Sequence, residues 1–131
     1  MGDLLGHAVR FGDAQDAMAA GEGIETILSL RQALLTMPMV SALSAGHLAA
    51  ILFPPQLRRL YIVRDNDPAG DSARDSLVDR AHEVGIETIT LSPMMGDFNE
   101  DLTTRGLDAV RAEIRVQIAP EDVSHFMASS A

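Results

Sequence analysis

The stretch YIVRDNDPAGD, Tyr61–Asp71, changes character within a few residues. Leu60–Val63 is a short apolar run rich in β-formers, which reads as a buried strand. Two aspartates follow, and then a proline, an alanine and a glycine. Aspartate is a good N-cap and proline fits the first helical position, so Asp67 has a structural reading as the cap of the next helix. Asp65 has a weaker one, because aspartate is unfavourable at a strand end unless it is paired or solvated. The pair either shapes a strand-to-helix turn or holds something positive.

Working outward, the same alternation recurs. On the C-terminal side, PAGDSARDSLVDRAHEVG reads as a helix stopped at Gly85. Ile86–Leu91 alternates as a strand. SPMMGDFNED is a loop, and residues 100–118 are helical with an interruption at Gly106. On the N-terminal side, FPPQLRR is a loop stiffened by paired prolines, AGHLAAIL a short helix, and Met39–Ser44 a short strand. IETILSLRQALLTM carries Ile24, Ile27, Leu28, Leu30, Leu34 and Leu35 at helical spacing, predicting a helix with a wide buried face that Pro38 ends. Before it come strands at His7–Phe11 and near Asp16–Ala20, joined by a turn at Gly12-Asp13. Strands alternating with helices at this rhythm predict a mostly parallel sheet covered on both faces. In such sheets ligands bind beyond the carboxyl ends of the strands.

Composition narrows the chemistry. The chain has 131 residues, the usual size of one domain. It contains no cysteine, which excludes disulfides, zinc fingers and thiol catalysis. All 10 basic residues are arginine, so lysine Schiff bases and a phosphate-loop lysine are excluded as well. No apolar run approaches the ~20 residues that span a bilayer, and no basic leader precedes an apolar stretch; the expected location is the cytoplasm, away from membranes. A formal net charge of −9 repels phosphate backbones, so nucleic acid would have to be met locally.

Acids gather at the predicted strand ends. Gly21-Glu22-Gly23 follows the second strand, Arg64, Asp65 and Asp67 follow Leu60–Val63, and Asp97, Asn99, Glu100 and Asp101 follow the strand at Ile86–Leu91. Each has a local reading: Glu22 in a strand-to-helix turn, Asp97 or Asn99 as a cap or Asx-turn. Together on one rim, however, they would repel one another unless a cation sat among them. Oxygen ligands without His or Cys suit a hard divalent ion, Mg2+ or Mn2+. Such an ion also lets an acidic site meet a polyanion.

Three blocks, AAGEGIETILSL (Ala19–Leu30), LYIVRDNDPAG (Leu60–Gly70) and GDFNEDL (Gly96–Leu102), resemble in order and separation the Toprim domain. That domain is shared by bacterial primases, type IA and type II topoisomerases, OLD-family nucleases and RecR recombination proteins. The strongest likeness is to primase-like Toprim proteins of plasmids, phages and other mobile elements. The resemblance implies a compact Rossmann-like α/β fold, a mostly parallel sheet of about four strands with helices on both faces, and an extra N-terminal edge strand. It divides the chain into an N-terminal strand and turn (1–15), read as an added edge or the end of a preceding domain, the Toprim domain (16–118) and a poorly ordered tail (119–131).

By the same resemblance Glu22 is a general acid/base or metal ligand in phosphoryl transfer. Asp65 and Asp67 hold Mg2+, or Mn2+, and Asp97 extends the acidic site. Glu25 and Asp101 are additional acidic candidates, and Arg64 pairs with an aspartate or approaches a phosphate. Gly23 lets the backbone turn after Glu22, and Gly70 permits close helix–strand packing. Replicative primases carry a second acid where this chain has Thr26; Glu25, one residue earlier, is the nearest substitute. The implied partners are nucleic acid or nucleotides, met through the metal, and other domains or subunits such as a zinc module or a helicase. The chain accordingly reads as one module of a larger protein.

Overall fold

Strand β3 (Ala17–Glu22) is built almost wholly from small residues and lies inside a sheet of 6 strands. Its neighbours are β4 (Met39–Ala42) and β5 (Arg59–Val63), both parallel to it, and β6 (Glu87–Leu91) continues the parallel set beyond β5. Beyond β4 lie β2 (Ala8–Phe11) and β1 (Leu4–Leu5), each antiparallel to its neighbour, so the order is β1-β2-β4-β3-β5-β6. The computed structural model describes residues 4–5, 8–12, 15–65 and 68–127. The parallel set and the added N-terminal edge agree with the reading from sequence, with the edge made of two short strands. His7 and Asp13, predicted in the first strand and turn, lie outside the described residues.

Helices cover both faces, and the period of two along each strand decides which side chains meet which helices. Ala17, Ala19, Tyr61, Val63 and Leu91 pack with α1 (Ile24–Ala33), α4 (Phe98–Arg105), α5 (Leu107–Gln117) and α6 (Pro120–Phe126). Met18, Ala20, Val40, Leu60 and Ile62 pack with α2 (Ala45–Ala49) and α3 (Pro68–Glu83). None of the helices among the described residues is long and apolar enough to cross a membrane.

Two elements differ from their sequence readings. Helix α1 stops at Ala33, short of Pro38. Leu34 and Met37 are fully buried, and the chain must turn them back into the core to start β4 beside β3, so tertiary packing overrides the periodic pattern. The buried stripe of α1 is also narrower than predicted: Ile27, Leu30 and Ala33 face inward, while Ile24 and Leu28 are 45% and 44% exposed. Leu35, in the turn beyond α1, is exposed as well.

The second difference is the segment after Pro120. Read as poorly ordered, it forms α6 through Phe126. It docks through Phe126 and Met127, which are buried in the core with Val123 packed against them, and through a polar cluster. Tyr61, wholly buried in β5, donates its hydroxyl proton to Asp122, and the same oxygen accepts the Ala119 N–H at 3.0 Å. Arg59 bridges Asp122 and Glu87, each at 2.9 Å. Burial, and then the bond to Asp122, push the Tyr61 hydroxyl well above its ordinary pKa. The polar contacts reach residues far away in sequence, while the helical spacing of Val123, Phe126 and Met127 was a local signal that the reading passed over.

Gly21 of β3 carries a tighter constraint. A Cβ there would stand 2.9 Å from the Val63 Cβ and 3.0 Å from the Ile27 Cδ1. Gly21→Ala is expected to destabilise the domain by about 1–3 kcal/mol through overpacking. Tyr61→Phe is expected to cost about 1–3 kcal/mol by leaving the Ala119 N–H and part of the Asp122 carboxylate unpaired. Urea denaturation measures both, and an unchanged midpoint for either variant would contradict the packing described.

Candidate functional site: the carboxyl ends of β3 and β5

The chain leaves β3 toward β4 on one side and returns to β5 on the other, so the strand order reverses at β3. A crevice opens beyond the strands at such a switch point. Glu22 ends β3 and, with Gly21 level with Val63, stands beside the start of the loop after β5. Gly23 follows with φ 86°, a left-handed conformation that costs glycine nothing and lets the backbone turn directly into α1. Its N–H is held by the Ala42 carbonyl at 3.0 Å.

An open depression at this end is lined by Glu22, Gly23, Ile24, Glu25, Thr26, Asp65 and Asp97. Three segments distant in sequence therefore bring their acids to one place, as the strand-end reading expected. Glu25 is exposed at its edge, and Thr26 is buried. Asp67 lies outside the described residues. Gly70 falls in the first turn of α3. Among the described residues, no group of three or more His, Cys, Asp or Glu side chains is gathered closely enough to hold a metal ion. The donor set itself, carboxylates without nitrogen or sulfur, is of the kind that suits Mg2+ or Mn2+.

The remaining candidates take up different positions. Arg64 turns to Asp71 in the first turn of α3, with Nε to Oδ1 at 2.7 Å and Nη2 to Oδ2 at 3.3 Å. This fork-to-fork pair closes the loop that carries Asp65. The hydrogen bond from Arg64 holds the Asp71 carboxyl below the usual aspartate range. Asp97 caps α4, its Oδ1 accepting the Glu100 N–H at 2.7 Å. Asp101 is wholly buried and accepts the N–H groups of Met94 and Met95. It is grouped with the loop backbone, away from the open depression.

Sequence reasoning passed over Ser29, whose hydroxyl donates to the Asn99 side-chain carbonyl oxygen at 3.1 Å and joins α1 to α4, a role different from the cap or Asx-turn read for Asn99. It also passed over Asp71 as the partner of Arg64, although an arginine just after a strand and an acid in the first turn of the next helix form a readable pair. The strand read near Asp16–Ala20 extends to Glu22, so Gly21, read as following it, lies inside it, where a glycine marks a close approach.

The sequence profile of the Toprim domain matches residues 17–108, which include Glu22, Asp65 and Asp97. The chain belongs to the Toprim domain family. Solved structures with a similar fold include primase domains. The primase fragment of the bacteriophage T7 primase-helicase protein superposes with a TM-score of 0.62 at 20% identity, covering 82% of this chain and 45% of that one. A DNA primase domain from Pseudomonas aeruginosa gives 0.57 at 22% identity, covering 79% of this chain and 34% of that one. A third match, at 0.59 and 18% identity, comes from a complex of the T7 lagging-strand DNA polymerase with primase domains bound to an RNA/DNA hybrid and dTTP; it covers 79% of this chain and 53% of that one. This Toprim chain thus spans from about a third to about half of those chains. Comparison with curated proteins finds no match.

The Arg64–Asp71 pair has a direct signature. A carboxyl with a lowered pKa stabilises the fold above its unfolded value and loses that contribution as the pH falls through its folded value. Acid therefore dissolves this pair only at pH values below the ordinary aspartate range. Arg64→Ala is expected to return the Asp71 carboxyl toward the ordinary aspartate range in an NMR titration. An Asp71 pKa that ignores the substitution would show that Arg64 does not hold it.

Proposed function

We propose that this Toprim domain is the Mg2+- or Mn2+-dependent catalytic module of a primase-like protein, serving nucleotidyl transfer or phosphodiester chemistry on DNA or RNA. One observation carries the reading: Glu22, Asp65 and Asp97 line a single depression at the switch point of the sheet. The fold likeness to primase domains supports it.

Asp65 and Asp97, with Asp67, would hold the ion. A carboxylate offers about four acceptor sites, so the cap that Asp97 makes to Glu100 leaves it capacity for an ion. When bound, the ion would neutralise charge on the transferring phosphate and activate the attacking oxygen. Glu22, at the strand end, is placed to move a proton at the reacting oxygen or to complete the ligand set. Arg64 orders the loop through Asp71, and contact with a phosphate would require it to leave that partner. Gly70, in the first turn of α3, would let that helix pack close to the sheet. Nucleic acid or nucleotides would be met through the metal, in keeping with the acidic balance. A zinc module or helicase elsewhere in the protein would supply template contacts.

A second reading, a non-catalytic module of the RecR kind that binds protein or DNA partners, draws on the loose spacing of the acids among the described residues. A nuclease of the OLD type would use the same acids to cleave.

Titration calorimetry with Mn2+ separates a metal site from a decorated turn. Asp65→Asn and Glu22→Gln are each expected to weaken binding by at least about tenfold, since each removes a charged group from the site. Unchanged affinity in both variants would refute the metal-dependent reading. In the full-length protein, primer synthesis from ribonucleotides on single-stranded DNA, abolished by Glu22→Gln, is the expected activity. Cleavage of labelled DNA without nucleotides would instead assign the nuclease, and activity that survives Glu22→Gln would assign the non-catalytic role.

A further inference from the structure

Asp101 is a carboxylate with no exposed surface, at the start of a helix whose Asp97, Asn99 and Glu100 are at least partly open to water. Its Oδ2 accepts the Met94 N–H and its Oδ1 the Met95 N–H, both at 2.8 Å. The next amide, Gly96 N–H, goes to Glu100 Oε2 at 3.1 Å. Consecutive amides of the loop between β6 and α4 are thus bound by acids at the start of α4, and the loop ends on Asp97. Gln117 of α5 fastens the other end of the loop, accepting the Ser92 N–H at 2.8 Å and donating to the Ser92 carbonyl at 3.0 Å.

Two amides converging on one buried point need a group that accepts twice and donates nothing. Carboxylate meets that need; an asparagine would turn its NH2 against one of the amides. Charge-assisted bonds of this kind are strong and directional, and the nearby N-terminus of α4 favours the negative charge. We propose that Asp101 is a positioning residue: by fixing the loop of residues 92–97, it sets where the Asp97 carboxylate stands at the acidic depression. This rests on the metal-dependent reading above, and it takes Asp101 out of the candidate ligand set.

The test is Mn2+ binding to the chain, with thermal unfolding measured alongside. Asp101→Asn is expected to weaken Mn2+ binding about tenfold at temperatures well below its own unfolding, the range typical of residues that orient a ligand. Because it acts through Asp97, the substitution should have no further effect in an Asp97→Asn background, whereas independent sites would add. Gln117→Ala, which frees the opposite end of the loop at a half-buried position, is expected to weaken binding in the same Asp97-dependent way. It serves as the probe where Asp101→Asn does not fold. Full affinity in Asp101→Asn despite a lowered unfolding temperature overturns the proposal, as does a loss that adds fully to that of Asp97→Asn. The same results in Gln117→Ala overturn it where that variant is the probe. Absence of Mn2+ binding sensitive to Asp65→Asn overturns the metal-dependent reading, and this proposal with it.

Discussion

The contact between Gly21 and the side chains of Val63 and Ile27 fixes how closely α1 approaches the middle of the sheet. With the Val63 Cβ 2.9 Å from where a Cβ would stand, residue 21 has no room for a side chain. Ala19 and Ala20 beside it are also small and wholly buried. A central strand of small residues lets helices on both faces come close, and the geometry of the switch point depends on that closeness. Were α1 lifted outward, Glu22 and Glu25 would move away from Asp65, because the turn at Gly23 joins strand and helix without slack.

Charge is distributed by the direction of the strands. At their carboxyl ends Glu22, Asp65 and Asp97 are half-buried along an open depression, with Arg64 paired to Asp71. At their amino ends Arg59 is surrounded by Glu87, Glu121 and Asp122. Burial lowers the tendency of that guanidinium to hold its charge, but its bonds to Asp122 and Glu87 more than offset the loss. The acids there are matched by a cation and a phenol, whereas those at the other end line an open depression. That contrast in setting separates a structural cluster from a candidate reactive one.

Much of this was legible in the sequence. The βα rhythm and the run at Leu60–Val63 carried the sheet and its helices, because each follows from local period and turn chemistry. Where the reading failed, long-range contacts had decided. The end of α1 is set by the burial of Leu34 and Met37 and not by Pro38. Helix α6 is held by Tyr61 and Arg59, which no periodicity connects to Asp122, and by Phe126 and Met127 in the core. Asp101 read as one more rim acid because sequence shows charge without showing burial. Asp97 read both ways, as cap and as site, and the fold uses it as a cap while bringing it to the depression.

The absence of lysine acquires a meaning once the ion pairs are in view. Arg59–Asp122, Arg64–Asp71 and Arg105–Glu113 all rest on guanidinium groups. A guanidinium stays protonated far into the alkaline range, where an ammonium would have begun to lose its proton. The electrostatic fastening of this domain is therefore insensitive to base on its cationic side. It is also beyond the reach of amine acylation, the modification that most readily erases a positive charge.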